Sequence, residues 1–131
     1  METALLAKLL ATAGVTALVS TRINWARRPQ GEPLPCIVLH RIDGSPDVHH
    51  GGASGLLDSR VQVDCWGASY KTAKAIARAV EAAVTAQTFT QGAVRFDVIL
   101  LVDERDSTFD EKPDTLFRTS LDLTVRSANA S

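Results

Sequence analysis

Apolar and polar residues alternate with two different periods along this chain, and those periods divide it into elements. From Arg60 the alternation is strict. Val61, Val63 and Cys65 fall on one side, and Arg60, Gln62 and Asp64 on the other. Side chains of a strand point alternately to opposite faces, so this stretch predicts a strand with one dry and one polar face. Gly67 ends it, and Ser69 supplies a hydroxyl for the first turn of a helix. Residues 70–86 then take a helical period: Ala73, Ile76, Ala77, Val80, Ala83 and Val84 form one stripe, with Lys71, Lys74, Arg78 and Glu81 off it. A half-buried strand thus feeds an amphipathic helix that can lie back on its dry face.

The same reading extends to both ends. Leu5, Leu6, Leu9, Leu10 and Ala13 recur at three and four, predicting a first helix that Thr3 can cap and Gly14 ends. Pro29, Gly31, Pro33 and Pro35 exclude a helix or a central strand between residues 29 and 35. Residues 36–42 are β-rich. Residues 43–55, with Gly44, Ser45, Pro46, Gly51, Gly52, Ser54 and Gly55, predict a flexible hairpin loop that orders against a neighbouring subunit. Residues 94–102 predict a strand with Val94, Phe96, Val98, Leu100 and Val102 on one face. Residues 103–114 predict an acidic connector, with six carboxylates against Arg105 and Lys112. In the last strand, 115–126, Phe117, Thr119, Leu121, Leu123 and Val125 face in, while Arg118, Ser120, Asp122, Thr124 and Arg126 face out. Residues 127–131 are expected to be a disordered tail. The order predicts an α+β fold, an antiparallel sheet of four to five strands with two main helices packed on one face, in a single domain of residues 1–126.

Composition narrows the function. Fourteen basic and fifteen acidic residues leave a net charge of −1, so there is no positive field to recruit nucleic acid specifically. Aromatic residues make up 5%, too few for a base-stacking platform. The apolar N-terminal run has no basic start and is interrupted by Lys8, so it reads as neither an export signal nor a membrane span. Synthesis and assembly in a cytoplasm are expected. Cys36 and Cys65 fall on strands; either is a small buried hydrophobe, and a disulfide remains open if those strands are neighbours.

No cofactor, metal or catalytic group is assigned. Asp47, His49 and His50 are the best metal candidates, and a small metal-dependent enzyme is the alternative function. Zinc needs three or four fixed ligands, however, and adjacent histidines on an extended backbone point apart. Asp103, Glu104 and Asp106 read as a charged turn; with Arg105 they can form charge-assisted pairs across subunits. Cys65 would need His40 as its base, but its alternation with Val61 and Val63 places it in the core. No phosphate loop or nucleophile elbow occurs. Trp66, on the polar side of its strand, either covers the strand end or anchors an interface. A polar sheet face, a loose loop and an acidic connector together suggest a protein that works by contact. The candidate interface residues are Trp66, Arg60, Asp64, Asp103, Glu104, Arg105, Asp106, Arg118, Asp122, Arg126, His49 and His50.

Several motifs, in order, resemble the tail completion proteins of long-tailed phages. They are Ala4 to Leu10, Arg22-Ile23, Leu34-Pro35-Cys36-Ile37-Val38-Leu39, Arg60-Val61-Gln62-Val63-Asp64-Cys65-Trp66 with Ser69-Tyr70, Asp103-Glu104-Arg105-Asp106, and the final strand from Phe117 to Val125. The resemblance covers nearly the whole chain, and order and spacing carry it. It implies a structural virion protein at the head–tail junction. Such proteins act as rings, here expected to hold six copies, that cap the tail tube and dock the head connector. The implied partners are the chain itself, a tail tube protein and a head connector or stopper protein. DNA would pass through the lumen without specific binding. Phages and gene transfer agents fit equally, and a stopper or adaptor component is a further alternative.

Overall fold

The computed structural model describes residues 1–28, 33–49, 52–85, 88–111 and 114–129. The elements run α1 (Glu2–Leu10), α2 (Ala13–Val19), β1 (Ile23–Trp25), β2 (Cys36–His49), β3 (Gly52–Gly67), α3 (Tyr70–Val84), β4 (Phe89–Gln91), β5 (Val94–Glu111) and β6 (Asp114–Asn129). The strands form one six-stranded sheet in the order β1-β2-β3-β6-β5-β4. The α+β class holds, but six strands and three helices replace the expected four to five and two. The extra strands, β1 and β4, are three residues each, too short to show a period. The β1–β2 pair is parallel, and every other pair is antiparallel.

All three helices pack on one face. Leu5 and Leu9 of α1, Val15 and Val19 of α2, and Ile76, Ala77, Val80 and Val84 of α3 share a core with Ile37, Leu39, Val61, Val63, Leu121, Leu123 and Val125. The α3 N-terminus forms where expected: Ser69 Oγ accepts the Thr72 amide at 3.1 Å. Gly67 is needed just before it, because a Cβ there would lie 3.0 Å from the Ala73 nitrogen. Cys36 sits opposite Trp66 and Cys65 opposite Ile37. The two cysteines therefore leave neighbouring strands on opposite faces. Both are buried and no disulfide joins them. Burial pushes the Cys65 thiol far up, as expected of a core residue.

Residues 43–55, expected as a loop, are strand on both sides. Asp43 pairs with Arg60 and the ladder continues to His49 opposite Gly52. Register shifts flank Ile42 and Asp47, and β1 covers β2 only at residues 37–39. Pro46 therefore lies where β2 has a ladder partner on one side only, the kind of position in which a sheet tolerates proline. Position 50 lies outside the described residues. The expected 103–114 connector is likewise hairpin, paired from Asp103–Asp122 to Glu111–Asp114. The expected tail at 127–131 is also corrected. Ser127 is buried and pairs with Leu57 and Phe96, and β6 runs to Asn129. Residues 130–131 lie outside the described residues.

One face assignment is reversed. Phe96 pairs with Ser127 but Val98 with Arg126, so Asp97 is an inserted residue. Such a bulge shifts the phase of the strand. Its carbonyl accepts the Thr88 hydroxyl at 2.8 Å. Beyond it Ile99 is buried, while Val98, Leu100 and Val102 are 45%, 56% and 53% exposed on the helix-free face. A second insertion at Val102 returns the phase, placing Glu104 and Asp106 on the helix side.

Candidate functional site

Over β3 and β6 the helix-free face is polar and of mixed charge, as the alternation predicts, while β5 adds the exposed Val98, Leu100 and Val102. The face carries an open pocket of about 370 Å³ lined by Ala26, Arg27, Arg28, Val38, His40, Asp64, Trp66, Leu116 and Arg118. Asp64 forms its floor and is 3% exposed. Its Oδ1 accepts from Ser120 Oγ at 2.7 Å and from Gln62 Nε2 at 2.8 Å, and His40 Nε2 lies 3.3 Å from Oδ2. Asp64 is thus a wall residue, not a surface group. Trp66 is partly covered by its own chain, since its ring meets Phe109 at 5.4 Å between centroids. The Arg118 guanidinium lies over both rings, 5.5 Å from the Trp66 centroid and 5.0 Å from that of Phe109. Cation–π contact of this kind holds the guanidinium plane. Arg118 Nη2 reaches Ser107 Oγ only at 3.4 Å, and its buried Nε meets no hydrogen-bond partner among the described residues. The turn after β1 presents Arg27 and Arg28. It is fixed by Ala26, whose N–H donates to the Leu39 carbonyl at 2.8 Å and whose φ is +73°.

A smaller hollow of about 170 Å³ lies further along the same face, lined by Ile42, Arg60, Gln62, Arg105 and Asp122 among others. Arg105 pairs with Asp122 at 3.3 Å, and Arg126 grips Asp58 with two bonds of 2.7 and 3.0 Å. Asp103 is exposed and accepts the Glu104 amide at 2.9 Å. The alternation put Arg60, Asp122 and Arg126 on one face, and the structure keeps them there and adds Arg105, which was read as part of a charged turn.

Glu104 and Asp106 lie on the other face, where they bind helix α3. Glu104 pairs with Lys74 and Arg78, and Asp106 takes Lys74 at 3.0 Å and the Thr119 hydroxyl at 2.9 Å. The hydrogen bond from Lys74, helped by Arg78 against the cost of burial, holds Glu104 below its ordinary 4.5. The hydrogen bond to Glu104 raises Lys74 above its ordinary 10.5. A carboxylate depressed in the folded state stabilises fully above its unfolded pKa, and this contribution is lost as pH falls through the folded value. The raised lysine stabilises below 10.5 and loses that contribution as pH rises through its folded value. Glu104 is 25% exposed in its side chain, and Glu104→Ala takes one partner from each of two cations, leaving Lys74 with Asp106 and Arg78 with Glu81. We expect a loss of about 1–3 kcal/mol at neutral pH. Urea unfolding from pH 7 to pH 3 should show the gap between variant and parent narrowing only below the ordinary carboxylate range. A gap that is flat with pH is the contrary result.

His49 lies in β2 opposite Gly52. The side chains of Asp47 and His49, and the whole of His50, lie outside the described residues. Among the described residues no cluster of three His, Cys, Asp or Glu side chains is arranged to hold a metal. Sequence reasoning missed Arg27, Arg28 and Phe109 as parts of the main pocket. The adjacent arginines ahead of a proline-rich stretch were the only signal for it, because Phe109 sat in what read as a connector.

The fold and this face define a two-layer structural domain: helices seal one side of a sheet whose other side is left to contacts. The chain belongs to the family of tail completion protein gp17, which matches residues 3–127. It is therefore a structural tail component of a phage-like particle, working against other proteins of that particle. Among solved structures, a chain from the virion of a native gene transfer agent particle has the same fold. It gives a TM-score of 0.75 at 25% identity over 98% of this chain and 95% of that one. No match was found among curated proteins.

Proposed function

We propose that copies of this chain form a ring, of six by the family resemblance, that caps the finished tail tube and docks the head connector. The observation that carries this reading is the family match over residues 3–127. Head-to-tail contacts between copies close into a ring when the rotation per copy divides a full turn. The helix-free face, with Arg60, Asp103, Arg105, Asp122 and the Trp66–Arg118 pocket, is the proposed contact surface; His49, at the end of β2, and His50, outside the described residues, are proposed as a second one. The tail tube protein and the head connector are the proposed neighbours. The net charge of −1 supports a lumen that lets DNA pass without holding it. The gene transfer agent relative favours a particle of that kind, although a phage would use the same geometry.

Electron microscopy of particles assembled without this chain tests the reading. DNA-filled heads separate from tails, with some tails of abnormal length, are the expected result. Normally joined particles overturn it.

A further inference from the structure

The pocket on the helix-free face has more positive charge than its own chain uses. Asp64 is its one carboxylate, and that group is occupied by Ser120, Gln62 and His40. Arg27 and Arg28 are exposed, and neither enters an ion pair among the described residues. Arg118 lies over the rings of Trp66 and Phe109, which meet each other, and its Nε is unpartnered among the described residues. A flat, oriented guanidinium is suited to a planar carboxylate, which it can take with two parallel bonds. The space, about 370 Å³, suits one or two side chains and is too small for a duplex.

The same molecule carries a matching group. β3 ends at Gly67 opposite Phe117, so residues 109–111 of β5 and 114–116 of β6 pair only with each other among the described residues. This arm runs past the sheet. Its sequence, Phe109-Asp110-Glu111-Lys112-Pro113-Asp114-Thr115-Leu116, holds three acids and one base. Phe109 and Leu116 sit at the pocket's rim, and the next pair, Asp110 with Thr115, leaves the hairpin on the opposite face. Asp110 is exposed, and the Thr115 hydroxyl at 3.2 Å is its only partner among the described residues. It points away from its own pocket.

We infer that the Arg27–Arg28–Arg118 pocket of one copy receives the acidic tip of the β5–β6 arm, through Asp110, from a second copy of this chain. The inference rests on the reading that several copies meet in the particle. Donor and acceptor differ on the two copies, so the contact is head-to-tail and repeats around a ring.

A cysteine pair tests it directly. In the full chain carrying Arg27→Cys and Asp110→Cys, oxidation should link chains into covalent multimers, and neither single variant should do so. The native Cys36 and Cys65 are buried and do not interfere. A link formed only within one chain, or no link, overturns the contact. Charge exchange gives an independent readout. Arg27→Glu with Arg28→Glu should weaken self-association by about tenfold or more, and Asp110→Lys with Glu111→Lys likewise. The four changes in one chain should restore it. Failure of that restoration overturns the proposal, as does a basic pocket that binds DNA and leaves self-association unchanged when its charge is reversed. Copy number in purified particles separates the two readings: several copies without the cross-link remove only this contact, whereas one copy removes the ring as well.

Discussion

Phe96→Ala should cost the fold about 3–5 kcal/mol, the range for deleting a buried aromatic ring. Phe96 is the largest fully buried side chain and is 1% exposed. Its ring stacks on Phe89 with 4.8 Å between centroids, and Lys8 Nζ sits 4.6 Å over the far ring. One residue therefore ties β5 to β4 and, through Lys8, to α1. The loss is large against a total stability of about 5–15 kcal/mol for such a domain. Urea unfolding measures the total, and amide exchange should show β4 losing protection first, since only three residue pairs hold it. Phe96→Leu keeps much of the volume and should lose less. A cost for Phe96→Ala under about 1 kcal/mol, typical of surface changes, would mean that the site collapses around the missing ring.

Asp64→Ala should cost about 2–4 kcal/mol, because it leaves buried donors without an acceptor. Ser120 is itself 1% exposed, so water cannot replace the lost carboxylate at its hydroxyl. Asp64→Asn keeps the Oδ1 acceptor for Ser120 and Gln62, and should retain a good part of the stability. The comparison also decides what Asp64 is for. The alternation put it on the polar face and made it an interface candidate, but at 3% exposure it can act on a partner only by shaping the pocket wall. The folded Asn variant should therefore self-associate nearly as the parent does. A variant of normal stability and much weaker association would return Asp64 to the contact surface.

What could be read before the structure follows from period and length. The run from Val61 to Val84 was legible because strand and helix each spanned several repeats of their pattern, and the cap at Ser69 formed as drawn. The inward set of β6 was legible for the same reason: Leu121, Leu123 and Val125 are all buried. Three-residue strands carry no period, so β1 was legible only as a short extended piece at residues 22–27, and β4 fell in what read as a loop. Composition misled in two places. Glycines and Pro46 at 43–55 read as a loop because pairing on an edge, with register shifts, leaves no alternation to see. The carboxylates at 103–114 read as a connector because the cations that meet Glu104 and Asp106, Lys74 and Arg78, are on α3, about thirty residues away in sequence. The main pocket was half legible. Trp66 and Arg118 were named on one face, but Arg27, Arg28 and Phe109 reach it only through the turn after β1 and the hairpin arm.

The two inserted residues of β5, Asp97 and Val102, cancel in facing but not in pairing. Phe96 before them and Glu104 after them point to the helix side, as they would on an unbroken strand. Only the stretch from Val98 to Leu101 is turned over. The strand therefore behaves as a cassette between two fixed ends. A relative lacking both inserted residues would keep Val98 and Leu100 opposite Arg126 and Thr124 on the outward face, with the core anchor and the ion cluster in place. The two bulges thus give β5 two more residues than the stretch of β6 it faces, while every paired residue stays on the face that its partner dictates.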